Sequence, residues 1–228
     1  MIHLKNVTKI YKQNNVVALD DVSLDIERGE FVFIVGQSGS GKSTLMKLLM
    51  HEELVTAGNI FVDNKDVVSM DRKEVPYLRR ALGVIFQDYR LLEDKTVYEN
   101  VAFAMQVIEA PRRIMQRSVN TVLDIVGLRD KYKHFPAQLS GGEQQRVAIA
   151  RAIVNDPRIV IADEPTGNLD PETGRDIMDI FQRINEAGTT IVMATHDKNI
   201  VDRMKKRVIA LENGKIVRDE MRGRYEER

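Results

Sequence analysis

Five consecutive apolar residues, Phe31-Val32-Phe33-Ile34-Val35, run directly into Gly36-Gln37-Ser38-Gly39-Ser40-Gly41-Lys42-Ser43. No other segment of the chain restricts its folding so tightly. An unbroken apolar pentad is the pattern of a strand buried on both faces, and such strands belong to parallel sheets covered by helices. The eight residues after it match G-x-x-x-x-G-K-[ST] in full. Glycines let the backbone curl until several N–H groups converge on one point. A helix starting at Lys42 turns its positive end toward the same point. The pair predicts an α/β domain with a phosphate-binding loop between strand and helix. Chance alone yields the eight-residue pattern in roughly 1% of chains this long, and its place between a buried strand and a helix is the one that phosphate binding needs.

The rest of the chain alternates in kind. Partial alternation over residues 2–10 and 16–26, around Gln13-Asn14-Asn15, predicts an N-terminal β-hairpin. Residues 59–62 and 65–68 flank Asp63-Asn64 as a second strand–turn–strand. Asp71 is placed to cap a helix running to Ala81, with Pro76 as an irregularity. A short strand is expected over residues 83–86. From Thr96 to Leu128 apolar residues recur at helical spacing, and Pro111 splits the run into two helices. Residues 88–136 therefore read as a helical subdomain inserted between strands. Beyond it the pattern predicts a helix over 142–155, a strand over 158–162, a helix over 171–187, a strand over 189–195, a short helix, and two closing strands over 207–212 and 215–219. This order argues for one domain over residues 1–228, with a parallel-sheet core. Residues 218–228 form a charged tail that is expected to fray.

Charge and composition exclude several classes. The 228 residues carry 34 Lys and Arg against 34 Asp and Glu, so no broad electrostatic footprint for nucleic acid is expected. The absence of cysteine removes disulfides, thiolate metal sites and a cysteine nucleophile. No signal peptide is expected from the opening residues. The longest apolar runs fall far short of the ~20 residues needed to span a bilayer. The run Arg203-Met204-Lys205-Lys206-Arg207 reads as a solvated helix face, or as a patch drawn to anionic headgroups.

Two further segments carry chemistry. Ile159-Val160-Ile161-Ala162-Asp163-Glu164 is an apolar strand ending in two carboxylates, and strand C-termini line the ligand crevice of α/β sheets. Asp163 is placed to orient Mg²⁺. Glu164, one residue on, points elsewhere and is suited to polarising a water. Leu139-Ser140-Gly141-Gly142-Glu143-Gln144-Gln145-Arg146 opens the preceding helix. Ser140 and Glu143 have capping-box spacing. The two glycines weaken the first turn, and they read as bare N–H groups for a second anion site.

On these motifs the chain resembles the ATP-binding cassette (ABC) ATPases along nearly its whole length. Residues 36–43 match that family's Walker A loop, 139–145 its signature motif and 159–164 its Walker B strand. Gln87 matches the Q-loop glutamine, Asn168-Leu169-Asp170 the D-loop and His196 the switch histidine. The resemblance implies a P-loop NTPase fold with a parallel-sheet core, an N-terminal antiparallel β-subdomain and an inserted α-helical subdomain. It implies ATP hydrolysis with Mg²⁺ in an ATP-dependent homodimer. ATP would lie between residues 36–43 with Thr44 of one subunit and Ser140, Gly141 and Gly142 of the other, with Tyr11 stacked on adenine. It makes Glu164 the general base, His196 the γ-phosphate sensor and Lys42 the reach to the β- and γ-phosphates. Ser43, Gln87 and Asp163 would hold the metal, and Asp170 would support the dimer contact.

The stretch Phe86-Gln87-Asp88-Tyr89-Arg90-Leu91-Leu92, followed by residues 96–105, resembles the cell-division branch of that family, in which the cassette works with the membrane protein FtsX. The resemblance implies a membrane partner docking near residues 87–92 and the helical subdomain, a place at the cytoplasmic face of the bacterial membrane, and a division-site role controlling cell-wall hydrolysis. The alternatives are the ATPase of a lipoprotein-release or peptide and macrolide-export complex, or a soluble cassette acting on nucleic acid or ribosomes.

Overall fold

The computed structural model describes residues 1–12 and 15–226, so Gln13 and Asn14 of the expected hairpin turn lie outside the described residues. The chain forms two compact units, Met1–Arg79 with Thr190–Arg228, and Arg80–Thr189.

In the first unit, β1 (Ile2–Tyr11) pairs antiparallel with β2 (Val16–Ile26) on one side and with β4 (Ala57–Val62) on the other. The short β5 (Lys65–Asp66) lies outside β4. It stops because the Asp66 carboxylate accepts from Val68 N–H at 2.9 Å and turns the chain. Ile2 and Leu4 of β1 and Val22, Leu24 and Ile26 of β2 are buried at the period of 2 that the alternation predicts, and Val7 is buried beyond a register shift in β1. The pentad forms β3 (Phe31–Val35), buried at every position. It lies between two parallel neighbours, β8 (Thr190–Ala194) and β9 (Arg207–Glu212), with Phe33 opposite both Met193 and Val208. Antiparallel β10 (Lys215–Glu220) closes that side. The helix after the loop, α1 (Lys42–Leu49), buries Leu45, Met46, Leu48 and Leu49 and packs on β2 and β8.

Three expectations change here. The helix expected from Asp71 begins at Val75, as α2 (Val75–Ala81). Asp71 instead sits in a turn, its N–H donating to Glu74 Oε2 at 3.0 Å. Pro76 falls in the first helical turn, where its missing N–H has no intrahelical partner to lose. The basic run is no continuous helix face, because α7 (Lys198–Met204) ends before Lys205, which adopts a left-handed conformation. Arg207 turns into the fold and forks onto Asp219 at 2.8 and 2.7 Å, with Glu30 at 2.9 Å. This pairing raises the guanidinium's affinity for its proton, Asp219 contributing most. The charged tail is hydrogen-bonded to the fold over its described part. Tyr225 N–H donates to Asp202 Oδ1 at 2.8 Å, and its carbonyl accepts from Arg218 Nη2 at 2.7 Å.

In the second unit, β6 (Leu82–Ile85) and β7 (Ile159–Asp163) pair in parallel. Around them lie α3 (Val97–Val107), α4 (Arg112–Ile125), α5 (Gly141–Ile153) and α6 (Pro171–Glu186). Thr96 and Glu99 form a full capping box on α3, and Pro111 occupies the N-cap of α4. The unit's central helix is α5, which packs on β6, α3, α4 and α6. Its Val147, Ala148, Ile149 and Ala150 are completely buried. Small alanines let neighbouring helices approach closely, while each buried Val or Ile contributes about 1.5–3 kcal/mol.

Candidate functional site

The phosphate-loop motif forms a turn whose back is packed and whose rim is open. Gly36 has φ 145° and Gly41 φ 111°, conformations that side chains resist. Space forbids a side chain as well. A Cβ at Gly36 would stand 2.2 Å from the Leu211 carbonyl oxygen, and one at Gly41 would stand 2.5 Å from that of Ala18. Both glycines are therefore required by close backbone approach. Ser40 N–H donates to the Gln37 carbonyl at 3.1 Å, and the Ser40 carbonyl accepts from Gly214 N–H at 3.1 Å. Gln37, Ser38, Gly39 and Ser43 remain exposed. Lys42 is only 9% exposed. Its ammonium folds back onto the loop, donating to the Gly36 carbonyl at 2.7 Å and the Gln37 carbonyl at 3.0 Å. A buried cation held by neutral carbonyls beside an open rim is one that an anion can recruit. Tyr11 is half-buried, with its hydroxyl 3.3 Å from Thr44 Oγ1 and the Lys9 ammonium 4.9 Å from its ring centre. His196 is exposed, two residues beyond the end of β8, between buried Thr195 and Asp197, the N-cap of α7.

The second unit holds the remaining motif residues. Asp163 ends β7, and Glu164 follows with φ 49°. This left-handed backbone is costly for a glutamate. It ends the extended run of β7 at Asp163. The Gln87 side chain is exposed and donates to Asn168 Oδ1 at 3.3 Å, while Asn168 Nδ2 donates to the Gln87 carbonyl at 3.2 Å. The two amides thus join segments 81 residues apart in sequence. Gly167 leaves room for this pair, since a Cβ there would lie 2.9 Å from Gln87 Nε2.

Asp170 caps α6, its Oδ1 accepting from Glu172 N–H and Thr173 N–H at 3.0 Å each. A side-chain hydrogen bond with Thr173, followed by these N–H bonds, holds its carboxyl below the usual range. Ser140 caps α5, its hydroxyl accepting from Glu143 N–H at 3.3 Å while Glu143 Oε2 accepts from Ser140 N–H at 2.9 Å. Glu143 also pairs with Lys131, which is the main reason its carboxyl is depressed. Gly142 is buried, and a Cβ there would lie 2.3 Å from Thr173 Cγ2. The approach of α6 is sufficient reason for glycine at 142. Gly141 is half-exposed.

Sequence reasoning missed two residues that hold the segment after Gln87. Tyr89 and Arg90 are both left-handed, with φ 57° and 47°. Arg151 donates to their carbonyls, at 2.8 Å to Tyr89 and 2.6 Å to Arg90. Burial lowers the Arg151 pKa, and the Arg90 charge lowers it further. Asn100 is completely buried in α3, accepts from Leu92 N–H at 2.8 Å and donates to the carbonyls of Leu92, Lys95 and Thr96. An asparagine one residue before the core position Val101 of a helix was the available signal. Leu91 and Leu92 are half-buried, and Arg90 stacks over Phe86 with its guanidinium carbon 3.6 Å from the ring centre.

These features, a glycine-lined phosphate loop after a buried strand and a doubly capped glycine helix preceding an acidic strand end, define a nucleotide-handling cassette. The model of the ABC transporter family matches residues 19–167, and the chain belongs to that family as an ABC-type ATPase. Among its relatives are the cell division ATP-binding proteins FtsE of Bacillus subtilis (strain 168) and of Mycobacterium tuberculosis. They are 55% and 56% identical over 225 residues, covering 99% of this chain and 98% of each relative. A solved ATP-binding cassette, a post-hydrolysis dimer bound to ADP and Pi, is 39% identical. It superimposes with a TM-score of 0.87 over 98% of this chain and 99% of its own.

Proposed function

We propose that the chain is the ATP-hydrolysing subunit of a bacterial cell-division complex, acting on a membrane partner of the FtsX kind. The observation that carries the chemistry is the Lys42 ammonium, nearly buried and held only 2.7 Å from the Gly36 carbonyl under an open glycine-lined rim. Residues 36–44 bind the triphosphate, Lys42 reaching the β- and γ-phosphates while the loop N–H groups take the oxygens. Tyr11 offers the ring face not taken by Lys9 to adenine. Ser43, Gln87 and Asp163 supply hydroxyl, amide and carboxylate oxygens, a hard donor set that suits Mg²⁺. When bound, the ion neutralises charge on the phosphates. Glu164 takes the proton of the attacking water, and His196 contacts the γ-phosphate.

A homodimer completes the site, with Ser140, Gly141 and Gly142 of the second copy over the phosphates and Asp170 beside the contact. Because ATP binds only the closed pair in full, dimerisation is ATP-dependent. The FtsE relatives support the cell-division assignment and a peripheral place at the cytoplasmic face of the membrane. No helix among the described residues is long and apolar enough to cross a membrane. The segment over 87–92, held by Arg151 and Asn100, is the docking place for the partner and reports nucleotide occupancy through Gln87.

The test is recovery of the Glu164→Gln variant from native membranes with Mg-ATP, followed by mass spectrometry. A co-purified polytopic protein of the FtsX kind, lost when Leu91 and Leu92 are changed to Asp, is the expected result. Recovery of a lipoprotein-release or export permease instead overturns the division role and leaves the ATP chemistry standing.

A further inference from the structure

His196 leaves β8 between two fixed points. On one side Thr195 is buried, and its N–H donates to the Ile34 carbonyl at 3.2 Å. On the other, Asp197 caps α7, its Oδ1 accepting from Asn199 N–H at 2.9 Å and Ile200 N–H at 3.1 Å. The orientation of the histidine therefore depends on where α7 stands. At seven residues this helix is far below the length that is stable alone. Its inner face is held by buried Ile200 and Val201.

Its outer face is held by Tyr225 and Glu226. Tyr225 N–H donates to Asp202 Oδ1 at 2.8 Å, and the Glu226 carboxylate pairs with Lys198. Lys198 and Asp202 stand one helical turn apart, so consecutive tail residues grip both turns of the helix. The tail itself is held in place by Arg218, which donates to the Tyr225 carbonyl at 2.7 Å, and by Gly223 N–H, which donates to the Lys206 carbonyl at 3.2 Å. The Lys198 ammonium also lies 5.5 Å from the Tyr225 ring centre. Nothing in the phosphate chemistry uses these contacts. They join Tyr225 and Glu226 to the helix that follows the proposed γ-phosphate contact.

We propose that Tyr225 and Glu226 form a latch on α7 that positions His196, with Asp202 and Lys198 as the positioning residues that receive it. This rests on the reading of His196 as the γ-phosphate contact. A latched α7 holds the imidazole where the γ-phosphate arrives. A released α7 lets the histidine wander while leaving the phosphate loop, and hence ATP binding, intact.

The test compares Asp202→Ala, which loses the acceptor, with Asp202→Asn, which keeps an Oδ1 for Tyr225 N–H, in the full chain with its membrane partner. Hydrogen exchange of residues 197–204 reads the latch directly. His196→Ala, run alongside, reads the histidine assignment. The expected result for Asp202→Ala is roughly tenfold faster exchange in α7. A displaced His196 ring resonance should accompany it, with kcat lowered roughly three- to tenfold and KM for ATP unchanged. Asp202→Asn should behave as wild type. Unchanged exchange in Asp202→Ala overturns the latch. So does faster exchange with unchanged kcat, or an Asp202→Asn that matches Asp202→Ala. Full activity in His196→Ala removes the histidine reading itself and the positioning role with it.

Discussion

Replacing Gly142 by alanine should destabilise the protein, although alanine is the better helix former. The new Cβ would lie 2.3 Å from Thr173 Cγ2, where two carbons prefer about 3.5–4.0 Å. Thr173 cannot simply step aside, because its side chain and its N–H both hydrogen-bond the Asp170 cap of α6. Forcing one methyl into such a contact costs about 1–3 kcal/mol. The gain in helix propensity returns at most about 1 kcal/mol. With the full propensity gain, the net loss is up to about 2 kcal/mol, a fall in Tm of up to about 8 °C for a chain of this size. The same structure names the remedy. Without Cγ2, the nearest atoms to the new methyl would be Thr173 Cβ at 3.7 Å and Oγ1 at 3.8 Å, both ordinary contacts. Thr173→Ser in the Gly142→Ala background should therefore restore stability, with a coupling energy of about 1–2 kcal/mol in a double-mutant cycle. Urea unfolding followed by circular dichroism gives all four corners. A Gly142→Ala protein as stable as wild type, or a serine that restores nothing, would refute the packing argument. The double variant also separates packing from ligand contact. If it dimerises with ATP normally, glycine stands at 142 for the neighbouring helix rather than for bare N–H groups.

Lys42→Ala should lose ATP binding by at least about a hundredfold, as expected when a desolvated charge pair is removed; retained micromolar affinity by calorimetry would contradict the phosphate-loop assignment. Glu164→Gln should bind ATP, hydrolyse it about a hundredfold or more slowly, and accumulate as a dimer in size-exclusion chromatography; wild-type turnover would mean that another group takes the proton. The Glu143 carboxyl is depressed by Lys131 and by the Ser140 N–H, so its contribution to stability is present above the unfolded pKa of about 4.3. That contribution is lost as pH falls through the lower folded value. Lys131→Met should reduce the stability lost between pH 7 and pH 3 by up to about 1 kcal/mol, and an unchanged acid limb would show that the pair contributes nothing.

Much of this protein is local and therefore legible in its residues. The buried pentad of β3, the loop at 36–43, the break at Pro111 and the Ser140–Glu143 capping box all depend on neighbours within four residues or on a simple period. Backbone sterics and helix geometry decide such features wherever the segment sits. Asn100 was half legible: its polarity beside a core position is visible, but its four partners over residues 92–96 are not. The contacts that shape the candidate site are of another kind. Gln87 meets Asn168 across 81 residues, Arg151 meets the Arg90 carbonyl across 61, and Tyr225 meets Asp202 across 23. None of these pairs has a period or a spacing rule. Each exists because packing of other elements brings two distant segments together, and only then does hydrogen bonding select the side chains. Gly142 makes the same point most sharply. A glycine looks identical in a sequence whether it clears space for a phosphate or for a threonine methyl, and only the position of α6 decides which.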